Sequence, residues 1–175
     1  MVSRWRLGRS VLPKGDPTGR MHGVQLWANL PAALKMTKPR YQEVESADIP
    51  AITDDDGTHV RLVRGHFWGK TGPVEGIVAD PTYLDVSVPP GKRKTLPLAV
   101  PTEGVGWWPH ATPPAEVDNR ALVLFDRGDE VVVQGGENGI RFLLVSGRPL
   151  REPVAWYGPI VMNTPGRAPA GIRGT

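Results

Sequence analysis

Apolar and polar side chains alternate most clearly over Thr82–Val88, where Leu84, Val86 and Val88 share one face and Tyr83, Asp85 and Ser87 the other. A period of two is the signature of a strand with one buried face. His59–Arg64 repeats it, with Val60 and Leu62 on the inner side. Ala121–Phe125, Glu130–Gln134 and Ile140–Val145 are short apolar runs of strand length. Weaker patterns place strands at Val24–Asn29, Tyr41–Val44, Glu75–Ala79 and Leu96–Val100, the last confined to an edge by Pro97. Pro31–Met36 reads as one helical turn, closed off by Pro39. Pro89-Pro90-Gly91 is a turn, Arg127-Gly128-Asp129 links the first pair of apolar runs, and Gly135–Gly139 joins the second pair as a hairpin. Pro101–Asn119 is a long loop. Many short strands without a long helical period predict an all-β sandwich or barrel.

Composition supports this reading. Gly and Pro supply 21 and 19 of the 175 residues, which favours turns over helices. There is no cysteine, so disulfides, thiolate metal sites and cysteine nucleophiles are excluded. That fits a reducing compartment. No apolar run approaches a membrane span, and no apolar stretch follows the basic first ten residues. The expectation is a cytoplasmic protein that engages no membrane.

The net charge of +3 raises the question of nucleic acid. Seven of the 21 basic side chains and one of the 18 acidic ones lie in residues 1–22 and 165–175. That leaves 14 basic and 17 acidic side chains over residues 23–164, which is no footprint for a phosphate backbone. No nucleic-acid partner is expected. Both ends are rich in Arg, Gly and Pro and show no periodicity, so they read as irregular tails.

The histidines are His22, His59, His66 and His110. A mononuclear iron or zinc ion needs three or four ligands on one point, and a His-x-His pair on one strand supplies two. No such pair exists, and His59 and His66 cannot share a face of one strand. Asp54-Asp55-Asp56-Gly57 lacks calcium-loop spacing and reads as a solvated turn before the His59 strand. Lys92-Arg93-Lys94 reads as an exposed turn, and Gly135–Gly139 is too short for a phosphate loop. No Gly-x-Ser-x-Gly nucleophile elbow occurs. Trp107-Trp108 close one end of a barrel or, alternatively, face a partner.

Four segments in order carry a resemblance. They are Gly23–Pro31 (Gly-Val-Gln-Leu-Trp-Ala-Asn-Leu-Pro) with Lys35-Met36, Pro39–Gln42 and Ile49-Pro50; Pro81–Val86; Phe142–Val154; and Tyr157–Thr164. Together they resemble the carboxy-terminal half of the pirin family. The resemblance implies cupin jelly rolls, two in full-length members, with a non-haem metal, usually iron, in the first. Three histidines and a glutamate hold that ion, all before the Gln-Leu-Trp segment. It also implies quercetin dioxygenase activity in some members, and transcription factors or metabolic enzymes as protein partners of others.

Where the family has a His-x-Glu pair, this chain has Ser3–Ser10, with neither residue type. The expectation is therefore a fragment with no catalytic, metal-ligating or cofactor-binding residue of its own and no dioxygenase activity. Its parts are an irregular tail over 1–22, the end of a first barrel and linker over 23–50, the second cupin barrel over 51–164, and an irregular tail over 165–175. Truncation or a shifted frame at both ends would explain the tails. Leu26, Trp27 and Leu30 would then lack cover, which predicts association. Two rivals stay open: a divergent metal-dependent dioxygenase that has recruited His59 and His66, and a regulatory protein-binding module using Trp107 and Trp108. The oligomeric state is undetermined.

Overall fold

The computed structural model describes residues 17–20, 23–78, 80–98, 116, 121–125, 129–147, 149–158 and 160–165. The chain falls into two compact units, residues 41–150 and, together, residues 1–40 with 151–175. The described residues are nearly all-β, with single 3₁₀ turns at Ala32–Leu34 and Ser46–Asp48 as the only helical pieces.

In the larger unit, strands β1 (Ala51–Thr53), β2 (His59–Arg64), β5 (Thr82–Val88) and β8 (Ile140–Ser146) form an antiparallel sheet in the order β1-β2-β5-β8. Strands β3 (His66–Phe67) and β4 (Lys70–Thr71) make a small hairpin, and β6 (Arg93–Pro97) pairs with β7 (Glu130–Gln134). The alternation along β2 and β5 turns Val60, Leu62, Leu84, Val86 and Val88 inward. They meet Leu144 from β8, Phe67 from β3, and Leu96 and Val131 from the β6–β7 ribbon in one core cluster. Leu96 and Val131 stand directly opposite each other across that ribbon. Each fully buried aliphatic side chain contributes about 1.5–3 kcal/mol of transfer free energy.

The hairpin expected at Gly135–Gly139 does not form. β7 pairs with β6 and β8 with β5, so these glycines carry the chain from one sheet to the other. They travel beside the β5-to-β6 connection: Gly135 N donates to Lys92 O at 2.8 Å, and Gly91 N to Gly136 O at 3.1 Å. The two connections form one bend of a double-stranded ribbon, as a jelly roll requires. Lys92 N donates to Pro89 O at 3.2 Å, and Gly91 has φ +67°, as suits a turn with proline first and glycine second.

Four other expected strands are missing. Val24–Asn29, Tyr41–Val44, residues 75–78 of the strand expected at Glu75–Ala79, and Ala121–Phe125 join no ladder. Gly76, at φ +67°, breaks the pleat of the third. In the fourth only Phe125 packs on the core, and Leu122 is 86% exposed. The sixth strand begins earlier than expected and takes in Arg93 and Lys94, which corrects their reading as an exposed turn. Ala79, Ala99, Val100, Pro101–Ala115, Val117–Asn119, Arg127 and Gly128 fall outside the described residues.

In the smaller unit, β9 (Ala155–Tyr157) pairs with β10 (Ile160–Met162) over a core of Ile160 and Met162. Glu152 ties this part together, accepting from Ala32 N at 2.7 Å and from Asn163 Nδ2 at 2.9 Å. Leu26 and Trp27 are 49% and 68% exposed, whereas Leu30 is half-buried.

Candidate functional site

One ammonium and two carboxylates converge where the β1–β2 turn meets β6. The turn is fixed by its own backbone: Asp54 N donates to Thr58 O and Gly57 N to Asp54 O, both at 2.9 Å. Gly57 takes φ +86°, a conformation that glycine adopts without strain. Thr58 N donates to Asp56 Oδ1 at 2.8 Å and Asp55 N to Asp54 Oδ1 at 2.6 Å. These bonds leave one oxygen of each carboxylate for Lys94, whose Nζ pairs closely with Asp54 Oδ2 and lies 3.1 Å from Asp56 Oδ2.

Lys94 is two residues before the buried Leu96, so the pleat of β6 directs it to the same side. Its ammonium also lies 5.1 Å from the centre of the Trp68 ring, within cation–π range. Trp68 and Gly69 are the central pair of the β3–β4 turn, with φ +43° and +74°, the pattern of a type I′ hairpin.

These contacts fix the charges. Burial pulls the Lys94 ammonium down, but hydrogen bonds and attraction from Asp54 and Asp56 outweigh it, and its pKa is raised. The Lys94 hydrogen bond, with the Asp55 backbone, lowers Asp54. The Thr58 backbone N–H and side chain, with Lys94 after them, bring Asp56 down to about 2. None of the three exchanges a proton near neutral pH, so the cluster is no general acid or base there. It ties the β1–β2 turn to β6.

The histidines stand apart. His59 Nδ1 lies 3.0 Å from Thr53 Oγ1, its cross-strand neighbour. His66 Nδ1 lies 2.9 Å from Thr71 Oγ1, across the small hairpin. His22, His110, Trp107, Trp108 and Ser3–Ser10 fall outside the described residues. Among the described residues no three His, Asp or Glu side chains come close enough to share an ion. The two carboxylates that do converge hold a lysine ammonium. The described residues therefore do not fit an iron centre of three histidines and a glutamate.

On the outer face of the sheet Arg141 grips Asp85, and Arg61 Nη2 reaches Ser46 Oγ at 2.7 Å. A recess of about 340 Å³ runs beside Ser87, Asn138 and Arg141. Lys94 and Trp68 are the residues that sequence reasoning missed. The signal for Lys94 was its spacing of two from Leu96, which outranks its membership of a charged run.

The model of the pirin C-terminal cupin domain matches residues 83–170. The chain belongs to the pirin family. It is 42% identical to a pirin-like protein of Caulobacter vibrioides over 164 residues, covering 89% of this chain and 57% of that protein. It is 32% identical to human pirin over 173 residues, covering 90% and 57%. The crystal structure of quercetin 2,3-dioxygenase from Acinetobacter baumannii superposes with a TM-score of 0.65 at 31% identity, covering 84% of this chain and 52% of that one. The sheet and ribbon above are thus a cupin β-barrel fold. The chain spans little more than half the length of the pirins it matches. Among the described residues no helix is long and apolar enough to cross a membrane.

Proposed function

We propose that this chain is a pirin cupin domain that acts without a metal-dependent dioxygenase site of its own. The observation that supports this is the separation of His59 and His66. They lie in different sheets, and each is bonded to a threonine. A mononuclear oxygenase centre needs its ligands on one point, and the available carboxylates at Asp54 and Asp56 are already engaged by Lys94. The similarity to a quercetin 2,3-dioxygenase then reflects shared fold and ancestry rather than retained chemistry.

The test is to incubate the purified chain with ferrous iron under nitrogen, desalt it, and measure bound iron by elemental analysis. Oxygen uptake is then followed with quercetin. We expect no stoichiometric iron and no uptake above buffer. Stoichiometric iron, with uptake lost in His59→Ala or His66→Ala, would establish the divergent-oxygenase alternative instead.

A further inference from the structure

The surroundings of the Lys94 ammonium have the chemistry of an amine site. Two carboxylates meet it from the β1–β2 turn, and an indole face lies 5.1 Å away in the β3–β4 turn. Carboxylates on one side and an aromatic face on the other are a recurring means of holding ammonium groups. The neighbouring Thr58 is fully buried, and its main-chain N–H donates to Asp56 Oδ1 at 2.8 Å.

The walls of this site do not depend on Lys94. Asp54 is set by bonds within its own turn, with its main chain paired to Thr58 and Gly57. Asp56 is held by Thr58 N. Trp68 is placed by its hairpin turn and by Phe67, a core residue whose ring centre lies 4.7 Å from its own. The lysine is the one flexible member, a charge on a four-carbon stem. A preformed site filled by a flexible side chain is a site that another molecule with the same end group can fill.

We propose that Asp54, Asp56 and Trp68 form a binding site for a primary alkylammonium group, occupied in this chain by its own Lys94. Removing the stem exposes the site. Lys94→Ala deletes the atoms from Cγ to Nζ, and n-propylammonium restores them. The thermal midpoint of Lys94→Ala is measured in n-propylammonium chloride and in sodium chloride of equal ionic strength. Tetramethylammonium serves as a cation without N–H donors.

We expect the variant to melt below the parent and to regain most of the loss in n-propylammonium alone, with saturation. The parent should not respond, and adding Asp54→Asn with Asp56→Asn to the variant should abolish the response. No recovery, or an equal shift in the parent, would overturn the proposal. Should Lys94→Ala not fold in salt, it is refolded from urea with and without the amine and read by near-ultraviolet circular dichroism. A native spectrum only with the amine supports the site, and none in either condition overturns it.

Discussion

The guanidinium of Arg141 holds the carboxylate of Asp85 in a two-pronged grip, Nε to Oδ1 at 2.9 Å and Nη2 to Oδ2 at 2.7 Å. The two residues belong to adjacent strands, offset by two positions in the register: Asp85 faces Leu143, and Arg141 faces Ser87. The hydrogen bonds from Arg141 lower the Asp85 pKa, with further attraction from Arg61 and His59.

Arg141 is 69% exposed at its side chain, so water and salt screen the pair. We expect Arg141→Met to lose about 0.5–1 kcal/mol by urea denaturation at pH 7, in the range of exposed ion pairs. A carboxyl whose folded pKa is depressed adds stability above its unfolded value, about 3.9, and loses it as pH falls through the folded value. The gap between parent and variant should therefore be constant above about pH 5 and close in acid. A gap that persists unchanged at pH 2 would show that Arg141 acts through packing of its stem.

Asp56 gives a sharper window. Its folded pKa is about 2, held there first by the Thr58 backbone N–H, next by the Thr58 side chain and then by Lys94. Its contribution is complete above the unfolded value near pH 4 and falls away as the pH approaches 2. Asp56→Asn keeps an acceptor for Thr58 N and removes the charge facing Lys94. We expect it to lower the thermal midpoint at pH 7 and to converge on the parent as the pH falls through about 2. Equal midpoints at pH 7 would mean that Asp54 alone satisfies the lysine.

How much of this was legible follows from which relations are local. The period of two located β2 and β5 at their observed bounds, because it records a buried face directly. Short apolar runs located β7 and β8 as strands but not their partners. The short glycine-rich link suggested pairing with each other, whereas a jelly roll sends them to different sheets. Ala121–Phe125 shows the converse, since strand-like composition forms no ladder without a partner. The charged cluster was hidden because Lys94 lies 40 residues from Asp54 and 38 from Asp56. Pairing at that distance is a property of the fold.

The bend between the sheets depends on two glycines and not on the third between them. A Cβ on Gly135 would stand 2.6 Å from Pro89 O, and one on Gly139 would stand 2.6 Å from Val88 O. Gly139 also has φ +73°, which side chains resist. Gly136 has open space around its Cβ position and a conformation open to L-residues. Alanine at Gly135 or Gly139 must therefore push apart two connections that hold each other by main-chain bonds, and the crowding atoms are backbone. We expect each to cost more than about 1 kcal/mol in urea denaturation. Gly136→Ala should be neutral or stabilising by up to about 1 kcal/mol, through reduced freedom of the unfolded chain. Equal effects at all three positions would mean that the two connections do not share a bend, and the crossing from sheet to ribbon would have to be drawn differently.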